Sequence, residues 1–461
     1  MKARVVAVAV LVVASVAPAA HAAPWKRVTT PDGASTHQVG LARTGDGVLH
    51  LAWHHPTGPN TEDLLHTVIS RAGRVGATNP IQSGWTGFTN PALVVDPGGL
   101  RVFWGGFRST DSSDPQNETN TALSPDGGAS WALQPGSVVP GGAQSYASNT
   151  AATVRADGST MQAFAGTLGT WVHAGLSPAT PNHDYQAPLG TYGYDPNLAT
   201  DASNRTVMAW YSSAARHLGV QVQDVAADGS PVGAAATMPG TGDMQTGMLG
   251  RTPLVARQGG GLYVAYPNAN RVRVWRVGAA SAPLIGRVAA SSSPAVAIAT
   301  AGEGRLWVVW TGGFGDPDVL ARRSNKAGTR FGATINAGHP RDAAQAYKVD
   351  ANAVGGALDV LGNFNIGTTT TAVTSYRRLL PGLTLEATPG RLRRDRNTDV
   401  RFTARDAGDA VRGARVRAGG RSGTTNARGR VTLTIRSRRA VRATATRSGY
   451  TGASKRLRVR R

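Results

Sequence analysis

Tyr192-Gly193-Tyr194-Asp195 places two phenol rings and a carboxylate within four consecutive residues. That grouping suits a polyhydroxylated ligand: rings stack on the apolar faces of sugars, and an acid accepts hydrogen bonds from hydroxyls. Arg108 and Arg251 carry permanent charge and could grip a carboxylate bidentately. Tyr146, Tyr347 and Asn90 stand at comparable places in the chain, and His54 opens the pair His54-His55. With His50 and His66, these histidines raise the question of a metal. No second ligand cluster accompanies them, so solvent-exposed loop histidines and no metal are expected.

A second chemical-looking stretch is SPDGGASW, residues 124–131. Its spacing has a turn logic: Asp126 can accept backbone N–H groups, Gly128 can adopt the left-handed conformation, and Trp131 can pack beneath a hairpin. A single carboxylate is a poor calcium site. The polar run DSSDPQNETN (111–120) matches no fixed calcium spacing and reads as a solvated insertion, with a weak calcium site the alternative. No cofactor is expected.

These residues sit on a repeat. NPALVVDPGGLRVFW (90–104), DPNLATDASNRTVMAW (195–210), TPLVARQGGGLYVAY (252–266) and SPAVAIATAGEGRLWVVW (293–310) share a polar-proline or similar entry, two alternating strands around a Gly/Asp turn, and an aromatic end. Looser copies occupy 39–53, 149–164 and 348–361. Leu49, Leu51 and Trp53 fall on one strand face, as do Leu100, Val102 and Trp104, which is the period of a sheet packed on one side. Seven two-strand signatures predict an all-β fold, a β-propeller of seven four-stranded blades, or six if one weak copy is decorative. The last copy has room for three strands, so PWKRVTT (24–30) is expected to supply the missing outer strand and remove an open edge.

In that frame Asn90, Tyr146, Tyr192, Tyr194, Asp195, Arg251 and Tyr347 belong to loops entering the first strand of a blade. His54, His55, Arg108, Asp316 and Asp318 follow the second strand. Loops of this kind carry ligands in propellers. The alternative for Tyr192 to Asp195 is an ordinary strand entry with the tyrosines packed on the neighbouring blade.

Ser124, Asp126, Gly128 and Trp131 match the Asp box at every defined position, and the chain here resembles sialidase-like and related bacterial propellers. The resemblance implies a box on the turn between the two outer strands of a blade, structural and opposite the binding face. It would also imply exo-sialidase chemistry, with three arginines on the sugar carboxylate, a tyrosine nucleophile activated by glutamate, and an aspartate acid/base. The family's Arg-Ile-Pro segment is absent; the first copy reads VGLARTGDG. The resemblance therefore extends to the fold of roughly residues 24–378, and the catalytic motifs do not carry over.

The first 22 residues have a basic start at Lys2 and Arg4, an apolar run and Ala20-His21-Ala22, the pattern of a secretory signal rather than a transmembrane anchor. Cysteine is absent, which excludes disulfides, thiol chemistry, cysteine zinc sites and a lipidated cysteine. A secreted, extracellular or periplasmic bacterial protein, monomeric, is expected.

The net charge of +22 is concentrated at the C-terminal end. From Leu379 onward 22 Lys/Arg face 5 Asp/Glu, leaving +5 for the rest. VRGARVRAGGRSGTTNARGRVTLTI (411–435) predicts two strands, and two more follow after Ala440. Gly413-Ala414-Arg415-Val416, Thr425-Asn426-Ala427-Arg428-Gly429 and Ser448-Gly449-Tyr450 resemble the small Ig-like, transthyretin-like modules found beside bacterial secreted enzymes and surface proteins. Residues 379–461 are thus expected to form a basic β-sandwich. Arginines alternating with apolar residues would hold an anionic surface polymer, or reflect composition alone. Few aromatics interleave, so a dedicated nucleic-acid partner is not expected. The leading functional expectation is non-catalytic recognition of an extracellular glycan. The competing ones are a sialidase-like glycoside hydrolase, with converging arginines and acids, and a protein-binding scaffold, with a broad apolar patch.

Overall fold

The computed structural model describes residues 24–29, 38–108, 119–135, 147–166, 169–185, 193–214, 217–243, 250–289, 294–367 and 372–460. The expected signal segment, Tyr146, Tyr192 and residues 111–118 of the polar run lie outside them. The chain divides into two compact units, residues 23–381 with 407–409, and residues 382–406 with 410–461. Among the described residues the structure is all-β apart from the short 3-10 turn Gly302–Gly304. No helix among them is long and apolar enough to cross a membrane.

Among the described residues the larger unit holds seven four-stranded antiparallel sheets. Sheet 1 comprises Gly40–Arg43, Leu49–Gly58, Thr61–Ile69 and Val75–Trp85, and sheet 2 comprises Ala92–Asp96, Gly99–Trp104, Asn120–Ser124 and Ala132–Gln134. Sheets 3 to 6 begin at Ser148–Val154, Gly193–Thr200, Leu254–Ala256 and Val296–Ala301. Sheet 7 runs through Ala343–Val354, Ala357–Ile366 and Ala372–Leu379. Its fourth strand is Lys26–Arg27, with Lys26 opposite Tyr376 and Arg27 opposite Ser375. First strands of successive sheets pack side by side from sheet 1 through sheet 7, and the first strand of sheet 7 packs against that of sheet 1. The sheets therefore form a closed ring with no open edge between first and last.

Local chemistry explains the hairpins. Asp157 Oδ1 accepts from the backbone N and hydroxyl of Ser159, and Gly158 sits at φ +83° where an L-residue is strained. Asp201 and Asp228 hold Ser203 and Ser230 in the same way. Second strands are buried on both faces, and their aromatics Trp104, Phe164, Trp210, Trp307, Trp310 and Phe364 fill the wedges between sheets. Each such ring contributes about 1.5–3 kcal/mol through burial. In sheets 1 and 7 the second strand runs five residues past the aromatic or apolar end expected at Trp53 and Leu361.

Closure is reinforced by a buried acid. Asp359 is fully buried and accepts from Arg43 of sheet 1 at 2.6 Å, from Arg378 at 2.6 and 2.8 Å, and from the Tyr376 hydroxyl at 2.7 Å. Burial of a carboxylate is tolerable only with such saturation.

In the smaller unit Thr384–Thr388, Thr398–Asp406 and Arg430–Ile435 pair in one sheet. Arg391–Arg393, Ala453–Arg460, Val441–Thr446, Arg415–Ala418 and Arg421–Thr424 form another, in that order. Both share one apolar core including Leu392, Val400, Phe402, Val416, Ile435 and Leu457. Residues 411–435 give three strands, one more than expected, because Gly419 and Gly420, both at positive φ, fold 415–424 into a tight hairpin. A second turn follows, where Asn426 accepts from the amides of Arg428 and Arg430.

Candidate functional site

Alternation of strand direction puts the entries to the first strands and the hairpins between second and third strands on one face of the ring. The turn of residues 124–131 lies between the third and fourth strands of sheet 2, on the opposite face.

At the entry face six of the seven first strands carry a polar residue: Gln38, Asn90, Asn149, Asp195 and Arg251 before or near the start of the strand in sheets 1 to 5, and Lys348 within the strand Ala343–Val354 of sheet 7. Gln38, Asn90, Asn149, Asp195 and Arg251 join into a chain around the axis. The Gln38 backbone N–H donates to Asn90 Oδ1 at 2.8 Å, Asn90 Nδ2 donates to Asn149 Oδ1, and Asn149 Nδ2 donates to Asp195 Oδ1 at 3.3 Å. Asp195 Oδ1 also accepts from the Gly250 N–H at 2.7 Å, and the Arg251 N–H donates to Gln38 Oε1 at 2.5 Å. The hydroxyls of Thr150 and Thr252 bond the carbonyls of Asn90 and Asp195, both at 2.7 Å, tying each entry to another.

Asp195 and Asn149 hold φ values of +56° and +49°, conformations that Asn and Asp tolerate best. Each lies where the pairing register shifts, between Tyr194 and Asn197 and between Ser148 and Ala151. A bulge there re-aims the side chain from the sheet surface toward the axis.

Arg251 is the hub. Its Nη1 donates to Pro91 O at 2.6 Å and Thr150 O at 3.4 Å, and Nη2 donates to Val39 O at 2.5 Å and lies 3.6 Å from Asp350 Oδ1. One guanidinium thus reaches the entries of sheets 1, 2, 3 and 7. Burial pushes the Asp350 carboxyl up, and Arg251 opposes that shift. Burial pushes the Lys348 amine down, with Asp195 and Asp350 working against it.

Two phenols border the acid. Tyr266 is buried, its hydroxyl has no hydrogen-bond partner among the described residues, and burial followed by the Asp195 charge raises it well above the usual phenol range. Tyr211 is raised by burial, then by Tyr194 and Asp195. Tyr194 is exposed, with its ring 6.3 Å from that of Tyr211. Tyr347 is half-buried beside Lys348 in the chain.

The structure therefore joins Asn90, Asp195 and Arg251 in one network, with Tyr194 at its edge. His54 and Arg108 belong to the junction of sheets 1 and 2. His54 Nδ1 and the Phe88 N–H both meet Glu62 Oε2 at 3.0 Å, while Arg108 lies 5.7 Å over Trp85 and donates to Asn120. The expectation of exposed loop histidines is corrected for His50, His54 and His66, which are buried within strands. His50 Nδ1 lies 3.1 Å from His66 Nε2, and burial lowers His66 to about 4. Asp318 pairs with His339 at 2.7 Å and accepts from Asn336, and Asp316 caps the Asp318 N–H. No group of three or more His, Asp or Glu capable of holding a metal occurs among the described residues.

In the opposite-face turn, Asp126 Oδ1 accepts from the amides of Ala129 and Ser130 at 3.1 and 2.9 Å, and Oδ2 from the Ser130 hydroxyl at 2.5 Å. Ser124 Oγ donates to Asp126 and accepts from the Gly128 N–H. Gly128 has φ +92°, and a Cβ there would collide with the His66 ring, against whose edge Trp131 packs. SNKAGTRF (324–331) follows the same spacing with Lys326 at the position of Asp126, and there the neighbouring Asn325 accepts from the amides of Thr329 and Arg330. The same face carries a cavity of about 370 Å³ lined by Asp96, Arg101, Ser159 and Leu176 among others.

Sequence reasoning missed Gln38, Asn149, Lys348, Asp350, Tyr211 and Tyr266. The first three had a readable signal: each stands at the place in its repeat that Asn90 and Asp195 occupy. The tyrosines sit near the ends of second strands and look like core until the bulge at Asp195 brings the acid to them.

No family model matches the chain, and no curated protein does. Among solved structures it is similar to a polysaccharide lyase, Uly1, at 10% identity over 77% of this chain and 92% of that one, TM-score 0.47. A Penicillium chrysogenum α-L-arabinanase complexed with arabinobiose matches at 11% identity, covering 78% and 98%, TM-score 0.42. A Trypanosoma rangeli sialidase mutant displaying trans-sialidase activity matches at 10%, covering 78% and 60%, TM-score 0.43.

Proposed function

We propose that the larger unit is a seven-bladed propeller that binds an extracellular glycan at its axial entry face without cleaving it. The smaller unit, read as an Ig-like sandwich, supplies electrostatic attachment. Secretion, a monomeric state, and a purely structural Asp box at 124–131 complete the reading. Its main support is the state of Arg251. The guanidinium that an acidic-sugar clamp would need is spent on backbone carbonyls and Asp350. Around it the same face carries an acid and side-chain amides joined to one another, an amine, and the exposed Tyr194 ring, which can stack on the apolar face of a neutral sugar while the polar groups meet its hydroxyls. Tyr211 and Tyr266 are shifted away from ionisation, the wrong direction for a tyrosine nucleophile.

The test is a glycan array with the full chain, followed by titration of the best hit. Saturable binding with no released sugar, lost in Asp195→Ala and weakened about tenfold in Tyr194→Ala, is the expected outcome. Release of reducing sugar or sialic acid that Asp195→Ala abolishes would establish the hydrolase reading in its place.

A further inference from the structure

The five-stranded sheet of the smaller unit has one face in its core and one in solvent. Strand alternation puts Arg391, Arg393, Arg415, Arg417, Arg442, Arg456, Arg458 and Arg460 on the solvent face, and all eight are exposed. No strand of this sheet contains an acidic residue. Among the described residues none of the eight has an acidic partner; Arg442 bonds only the Ser454 hydroxyl. Asp395, close in the chain to the edge strand, is already held by Arg436 and Arg438.

The register sharpens this. Arg391 stands opposite Arg458, Arg393 opposite Arg460, and Arg442 opposite Arg456. Like charges in directly opposed positions destabilise a sheet. The other sheet differs: its outer face mixes Arg401, Arg405 and Arg430 with Glu386 and Asp399. A compositional excess of arginine would load both faces alike. The segregation points instead to an anionic partner that neutralises one face.

We propose that this face docks a linear anionic polysaccharide carrying carboxylate or sulfate groups. Adjacent strands are about 4.8 Å apart and same-face residues about 7 Å apart, so the guanidiniums form a flat cationic grid. Guanidinium forks bind carboxylate and sulfate oxygens in pairs. Thr444, Thr446, Ser422, Thr424 and Ser454 lie on the same face and offer hydroxyls to sugar hydroxyls. No aromatic side chain is present for base stacking, and no apolar one for insertion into a bilayer. This deepens the attachment role proposed above and does not depend on what the axial face binds.

The full chain is titrated with alginate, dextran sulfate, neutral dextran, a 30-base-pair duplex DNA, and phosphatidylcholine–phosphatidylglycerol vesicles, at two salt concentrations. Expected is salt-sensitive binding to alginate or dextran sulfate, none to neutral dextran, and weaker binding to DNA and vesicles at equal charge. R391S/R442S/R456S/R458S should lose about tenfold or more, and the opposite-face control R401S/R405S/R430S less than about threefold. The first variant should melt no lower than the parent, since it removes opposed like charges. Equal loss in the control, no binding to either acidic polymer, or tighter binding to DNA or vesicles overturns the proposal. Asp195→Ala should leave polymer binding unchanged, so failure here and failure at the axial face are read separately.

Discussion

Arginine does opposite work in the two units. In the ring of sheets Arg43, Arg251 and Arg378 are turned inward and consumed by carbonyls and carboxylates of other elements. In the five-stranded sheet of the smaller unit eight arginines are exposed and, among the described residues, none has an acidic partner. A guanidinium with five donors can staple several backbone segments where they converge, or present those donors to a ligand, but not both. The comparison teaches that charge count is a poor guide to a binding surface. The useful quantity is the number of donors left unspent.

The largest expected effect comes from breaking a spent arginine's partner. Asp359→Leu leaves Arg43 and Arg378 without their acid between the first and last sheets. A loss of about 3–5 kcal/mol in denaturant unfolding is expected, large enough to prevent soluble expression. Next is Arg251→Met, which keeps the volume and removes every donor to Pro91, Thr150 and Val39; about 3 kcal/mol of lost stability is expected by the same measurement. An effect no larger than that of a surface arginine would show that the hub is dispensable.

Acid stability comes third. His66 is lowered by burial to about 4 in the folded protein, so below the unfolded value near 6.5 the unfolded chain binds more protons. Stability is therefore full above about pH 6.5 and falls as pH drops toward 4, by on the order of 3 kcal/mol. Midpoints measured from pH 7.5 to 4 should show the fall, and His66→Phe should flatten it. Asp126→Ala, which frees the Ala129 and Ser130 amides at the rim, should cost about 1 kcal/mol and leave ligand binding intact. The smallest effect has the opposite sign. Arg442→Thr removes one opposed like-charge pair and should stabilise by about 0.2–1 kcal/mol, seen as a slightly raised Tm.

Much of this architecture is legible along the chain because it is local. Strand alternation, Asp-Gly turns and the aromatic closing each second strand depend on neighbours a few residues away. The count of seven two-strand units follows from them, as does the donor pattern of Ser124 to Ser130. The candidate site is less legible. Asp195 stands out, yet Asn149 has no chemical neighbour in the sequence, and Gln38 lies 213 positions from the amide it accepts. Arg251 looks like a ligand-binding arginine until the structure places three carbonyls around it. His54 and His66 read as polar loop residues because burial arises from packing between sheets, which no single strand encodes.

The sequence by itself determined the all-β character, the repeat, the hairpin turns and the separation of charge between the two ends, since each rests on periodicity and composition. Only the tertiary structure decided which polar groups are spent. Ring closure brings the starts of separate strands to one axis, where Arg251 is surrounded by acceptors and Asp195 is turned inward by a bulge. In the smaller unit it is the pairing register that sets arginine opposite arginine. Both outcomes depend on distances between residues far apart in the chain, and those distances exist only after the sheets have packed.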